Sequence, residues 1–62
     1  MNQKFPLSAC IITFNEESRI RDCLESVTWV DEIIVVDSFS TDKTVDICRE
    51  YTNQVYQRAW PG

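Results

Sequence analysis

Apolar residues fall in short blocks along the chain, and the spacing inside each block alternates between that of a strand and that of a helix. Leu7 to Thr13 reads LSACIIT, a brief apolar run entered from Pro6 and left through Phe14-Asn15, and it predicts a buried strand. The period then lengthens. Ile20, Cys23, Leu24 and Val27 recur at i, i+3, i+4 and i+7, while Arg19, Arg21, Asp22 and Glu25 fall off that stripe, so an amphipathic helix is expected. Asn15 is its expected cap, with Glu16 and Glu17 in a first turn where carboxylates complement the helix dipole. Ile33 to Val36 are four β-branched residues in a row ending at Asp37, the pattern of a second strand buried on both faces. Ser38 to Asp42 is read as a turn, with Ser40 or Thr41 capping a second helix marked by Val45, Ile47, Cys48 and Tyr51. Gln54 to Gln57 alternates briefly and predicts a third strand.

The order β-α-β-α-β implies an α/β fold with a parallel sheet. Crossovers between parallel strands are right-handed, so a sheet ordered 3-2-1 carries both helices on one face and leaves the other bare. A strand such as Ile33 to Val36 loses about 1.5–3 kcal/mol for each large side chain left in water instead of buried. Residues 1–62 are therefore expected to be the N-terminal part of one larger α/β domain. Trp60 is expected to pack against further parts of that protein.

Composition narrows the chemistry. Of 62 residues 44% are apolar and 26% charged, with one glycine and two prolines, which is the makeup of a globular chain and not of a disordered one. The net charge of −4 excludes a basic surface for nucleic-acid phosphates, so no nucleic-acid partner is expected. The absence of histidine excludes Ser-His and Cys-His nucleophile pairs and imidazole-ligated zinc. Cys10, Cys23 and Cys48 lie 13 and 25 residues apart, which fits three buried thiols in a reducing compartment and no disulfide framework. No apolar run exceeds four residues, against the ~20 that span a bilayer, and Met1 to Pro6 lacks the features of a signal peptide. A cytoplasmic setting is expected.

Ligands of open parallel sheets bind beyond the carboxyl ends of the strands, here Thr13 to Glu17 and Asp37 to Ser40. Neither loop contains glycine, so the dinucleotide fingerprint and the P-loop are both absent. The rim offers carboxylates, hydroxyls and two aromatic rings, groups that can accept hydrogen bonds from a base or ribose and stack on a base.

Cys10 to Glu17 (CIITFNEE), followed by Glu32 to Thr44 (EIIVVDSFSTDKT), resembles the opening of a family 2 glycosyltransferase with a GT-A fold. Cys23 to Val27 and Arg58 to Gly62 are further similar to the glucosyltransferases of the lipopolysaccharide inner core. The resemblance implies the N-terminal half of a GT-A, Rossmann-like domain that binds a nucleotide-sugar donor, commonly a UDP-sugar. Within it Thr13 and Phe14 would border the base, Glu16 would face the base or ribose, and Asp37 would hydrogen-bond uracil or ribose. Ser38 and Phe39 depart from the Asp-Gly commoner in that family. The resemblance also implies a divalent metal, magnesium or manganese, and a catalytic base, both supplied from beyond Gly62. No catalytic or metal residue is thus assigned here, and the fragment alone is expected to be inactive. The parent enzyme is expected to be an inverting transferase acting on a glycolipid or other glycan acceptor, peripheral to the cytoplasmic face of the inner membrane.

Plainer roles stand beside these. Asp37 suits an Asx turn into the next helix, Glu16 and Glu17 suit dipole-complementing carboxylates, and Phe14 and Phe39 suit packing. Ser40, Thr41 and Thr44 read as capping residues, since no base is at hand to activate them. Two rival functions are a nucleotidyltransferase-like nucleotide site, normally glycine-rich in its first loop, and a receiver or interaction module phosphorylated at Asp37, which needs a longer chain.

Overall fold

In the computed structural model of this chain, residues 6–59 are described, so Met1 to Phe5 of the N-terminal stretch and Trp60 lie outside the described residues. The elements are β1 (Ser8–Thr13), α1 (Ile20–Ser26), β2 (Glu32–Asp37), α2 (Thr44–Arg49) and β3 (Val55–Gln57). They form a parallel three-stranded sheet in the order β1-β2-β3, with Ile11 beside Val35, Thr13 beside Asp37 and Val36 beside Tyr56.

Side chains alternate across a strand, so the register assigns each residue to a face. Ile11, Ile33, Val35 and Val55 meet Ile20 and Leu24 of α1 and Cys48 and Ile47 of α2, so both helices cover the same side of the sheet. Leu24, Val35 and Cys48 are fully buried. Removing Leu24, Ile20 and Val35 from water contributes about 1.5–3 kcal/mol each before chain entropy is counted. The opposite side carries Cys10, Ile12, Ile34, Val36 and Tyr56, and no element among the described residues covers it; Ile12 and Tyr56 are more than half exposed. β1 and β2 are therefore buried on one face only, not on both.

The amino ends of the strands are tied by one carboxylate. Glu32 accepts from Ser8 Oγ at 2.7 Å and from Gln54 Nε2 at 2.8 Å, which fixes β1, β2 and the approach to β3 in register. Across the outer side of the helices Arg21 reaches both oxygens of Glu50, at 2.9 and 3.2 Å, and lies over the Tyr51 ring. Both partners of that ion pair are about half exposed, so it adds little to stability.

Helix starts and thiols differ from expectation. α1 begins at Ile20, not after an Asn15 cap: the chain first makes a turn in which the Glu16 carbonyl accepts the N–H groups of Arg19 at 2.9 Å and Ile20 at 2.7 Å. α2 begins at Thr44 behind Lys43, and neither Ser40 nor Thr41 caps it. Instead Asp42 Oδ1 accepts the Thr44 N–H at 2.9 Å. Of the three cysteines only Cys48 is buried. Cys10 lies on the bare sheet face, and Cys23 is exposed because α1 meets the sheet through Ile20 and Leu24.

Candidate functional site

The carboxyl ends of β1 and β2 open into two loops that bind each other more than they bind their own helices. Asn15 N–H donates to Ser40 Oγ at 2.7 Å, and Thr41 N–H returns to Asn15 Oδ1 at 2.8 Å. Glu16 N–H donates to Thr44 Oγ1 at 2.9 Å, Glu17 N–H to Asp42 Oδ2 at 3.1 Å, and Lys43 N–H to Glu17 Oε1 at 3.2 Å. Asn15, Ser40, Thr41, Asp42 and Thr44 are the residue types that otherwise cap helices, and here they join two loops. Thr44 is fully buried, and its hydroxyl donates in turn to Asp42 Oδ1, which holds that carboxyl below its usual range.

Asp37 closes the second loop on itself. Its carboxylate accepts from Ser40 N–H at 2.7 Å and Ser40 Oγ at 2.6 Å, with Gln57 Nε2 at 3.4 Å, and the residue is wholly buried. The carboxylate caps the turn at the amide of Ser40, one residue further on than the Asx turn expected. It leaves Ser38 and Phe39 at the tip, with Phe39 at φ 59°, a left-handed conformation that favours glycine and costs a residue with a Cβ about 1–2 kcal/mol. Asn15 has a φ of 48°, which its short amide side chain tolerates far better than a phenyl ring does.

A cleft of about 610 Å³ lies between the two loops, lined by Ile12, Thr13, Phe14, Glu16, Ser38, Phe39 and Ala59. The structure thus brings Thr13, Phe14 and Glu16 together and places Asp37 beneath them, outside the lining. Phe14 and Phe39 each expose just over half their surface, so neither ring belongs to the core. Thr13 is the reverse, 4% exposed with its Oγ1 buried and lacking a hydrogen-bond partner. Burying an unpaired hydroxyl costs about 1–3 kcal/mol. Ile12, Ser38, Phe39 and Ala59 also line the cleft; Ser38 and Phe39 were expected on the rim without an assigned role, and Ile12 and Ala59 were not expected there. Phe39 carried a signal in standing where glycine is commoner, whereas Ala59 arrives through the chain after β3 and carried none.

The sequence model of Glycosyl transferase family 2 matches residues 8–60, nearly the whole chain. The chain belongs to glycosyl transferase family 2. Its two rim loops and parallel sheet are part of a GT-A, Rossmann-like α/β domain of that family. Among curated proteins it is 43% identical over 61 residues to the lipopolysaccharide core biosynthesis glycosyltransferase LpsC of Rhizobium meliloti, covering 98% of this chain and 21% of that protein. It is 49% identical over 57 residues to an uncharacterized glycosyltransferase of Rickettsia bellii, covering 90% and 19%. It is 54% identical over 46 residues to the prophage-derived glycosyltransferase SunS of Bacillus subtilis, covering 71% and 11%. The chain spans about a fifth of the length of the first two relatives. No solved structure matches it significantly.

Family 2 enzymes commonly use a divalent metal. Among the described residues no group of three or more Cys, Asp and Glu side chains could hold one, so the residues present do not fit that metal. No described helix is long and apolar enough to cross a membrane.

Proposed function

We propose that residues 1–62 form the nucleotide side of the donor site of a single family 2 glycosyltransferase domain. The observation that carries this reading is the cleft at the carboxyl ends of β1 and β2, the place where open parallel sheets take their ligands. In this reading Thr13 and Phe14 border the base through backbone and ring, and Glu16 faces the base or ribose. The Glu16 carboxylate makes no hydrogen bond to a described residue, whereas its main chain is held by Thr44, so it is a free acceptor on a fixed backbone. Asp37 belongs to the same site and sets the turn that carries Ser38 and Phe39.

The donor is a UDP-sugar, the acceptor a lipopolysaccharide core or another surface glycan, and transfer is by inversion. The relative named for lipopolysaccharide core biosynthesis supports the acceptor class. The divalent metal and the catalytic base come from outside this chain, and the parent enzyme works in the cytoplasm, beside the inner membrane where a glycolipid acceptor would lie.

Titrating the isotope-labelled chain with UDP and following its amide resonances tests the pocket. Shifts confined to Thr13, Phe14, Glu16 and the Ser38–Ser40 turn are expected. Shifts at the opposite end of the sheet, around Asp31 and Asn53, or none in a folded chain, would overturn it.

A further inference from the structure

Phe39 is the one residue of the cleft whose backbone conformation works against its side chain. A bulky residue at positive φ is uncommon, and it persists where the surroundings over-determine it. Here they do: Asp37 binds Ser40 twice on one side of Phe39, and Asn15 binds Ser40 and Thr41 from across the cleft. Core packing does not account for the ring, which is 53% exposed and stands at the cleft together with Phe14 at 54%. The turn would form more readily with glycine, so the phenyl group is what the strain preserves.

We infer that Phe39 is a ligand-binding residue whose ring, with that of Phe14, bounds a slot for the planar base of the ligand. The assignment rests on the nucleotide reading above and deepens it, because it places a second aromatic wall on a site where that reading uses one. Aromatic faces stack on bases through dispersion and are tolerant of base identity, so the contact supplies affinity for a base as such, and the Glu16 carboxylate at the cleft supplies a polar edge contact.

The test compares Phe39→Gly, Phe39→Leu and Phe39→Tyr with the unaltered chain, using uridine and UDP as probes and amide resonances to read both binding and folding. Glycine suits the positive φ, so Phe39→Gly keeps the dispersed spectrum of the folded chain. It binds uridine and UDP about tenfold more weakly, by the same factor for each, because the ring touches only the base. Phe39→Leu shows the same loss, and Phe39→Tyr restores binding. Unchanged binding in Phe39→Gly makes Phe39 a turn residue and overturns the inference while the nucleotide pocket stands. Loss confined to UDP places Phe39 at the phosphates, and equal loss in Phe39→Tyr denies the ring a role; each also overturns it. Absence of rim shifts in the unaltered chain with either probe overturns both the slot and the pocket.

Discussion

Asn15 Oδ1 accepts the backbone N–H of Thr41 at 2.8 Å, so a side chain on the first rim loop holds the main chain of the second. The same residue sits at φ 48° and donates its own N–H to Ser40. Asn15→Ala removes the acceptor and places a Cβ without a compensating amide at positive φ. A loss of about 1–3 kcal/mol is expected in urea unfolding. Asn15→Gly keeps the backbone conformation and loses only the hydrogen bond, so its midpoint lies between those of Asn15→Ala and the unaltered chain. Equal midpoints for all three would mean that the loops are held without this contact.

The strands were legible because β-branched runs bounded by polar residues have few other readings, and Ile33 to Val36 fall inside β2 as expected. The helix starts were less so. Asn15, Ser40 and Thr41 can bond a nearby amide of their own helix or a distant one, and no local pattern distinguishes the two. Cys23 and Cys48 both sit on apolar stripes, yet only Cys48 is buried, since which part of a stripe meets the sheet depends on how each short helix is set down. Thr13, Phe14 and Glu16 come together at the cleft because they end β1 or follow directly from it. Phe39 was legible as a ring on the second rim loop, whereas its left-handed φ was signalled only by its standing where glycine is commoner.

Thr44 links the pH response to the loops. Its hydroxyl is the first cause of the lowered Asp42 pKa, and Glu32 is lowered by Gln54 and Ser8, Glu50 by Arg21. A carboxyl with a depressed folded pKa stabilises above its unfolded value, about 3.9 to 4.3, and that contribution disappears as pH falls through the folded value. Unfolding midpoints are therefore expected to be level between about pH 5 and 8 and to drop below about pH 4. Thr44→Val leaves the Glu16 N–H without its acceptor and costs about 1–3 kcal/mol at neutral pH. In that variant Asp42, followed by its carboxyl carbon resonance, titrates closer to the ordinary value. An unshifted Asp42 titration in a folded Thr44→Val chain would remove the hydroxyl as the cause.

Burial pushes the Cys48 thiol up to about 11, with Asp37 adding to the effect, while Cys10 and Cys23 are exposed. A thiol reagent at pH 8 is expected to label two cysteines at once and the third only on unfolding. The sign for stability follows from the raised value. The contribution is complete below the ordinary thiol pKa of about 8.5 and is lost as pH rises toward the folded one, because the unfolded chain ionises first. Cys48→Ala should flatten that alkaline decline, at the cost of a small cavity beside Leu24 and Val35. Three equally fast thiols at pH 8 would show that the core around Cys48 opens readily.

The sheet face opposite the helices gives a prediction about association. Cys10, Ile12, Ile34, Val36 and Tyr56 lie on it with no covering element among the described residues, and both edge strands, β1 and β3, leave main-chain groups outside the ladder. An isolated 62-residue chain with this surface is expected to enhance the fluorescence of a hydrophobic dye and to self-associate as concentration rises. Val36 and Tyr56 are register neighbours in the middle of that face, so Val36→Lys with Tyr56→Lys introduces two like charges side by side. The pair should suppress both signals while leaving the helix-side core intact, which far-ultraviolet circular dichroism would register. Dye binding that persists in the folded double variant would assign it to the Phe14 and Phe39 cleft instead, and competition by UDP would separate the two surfaces.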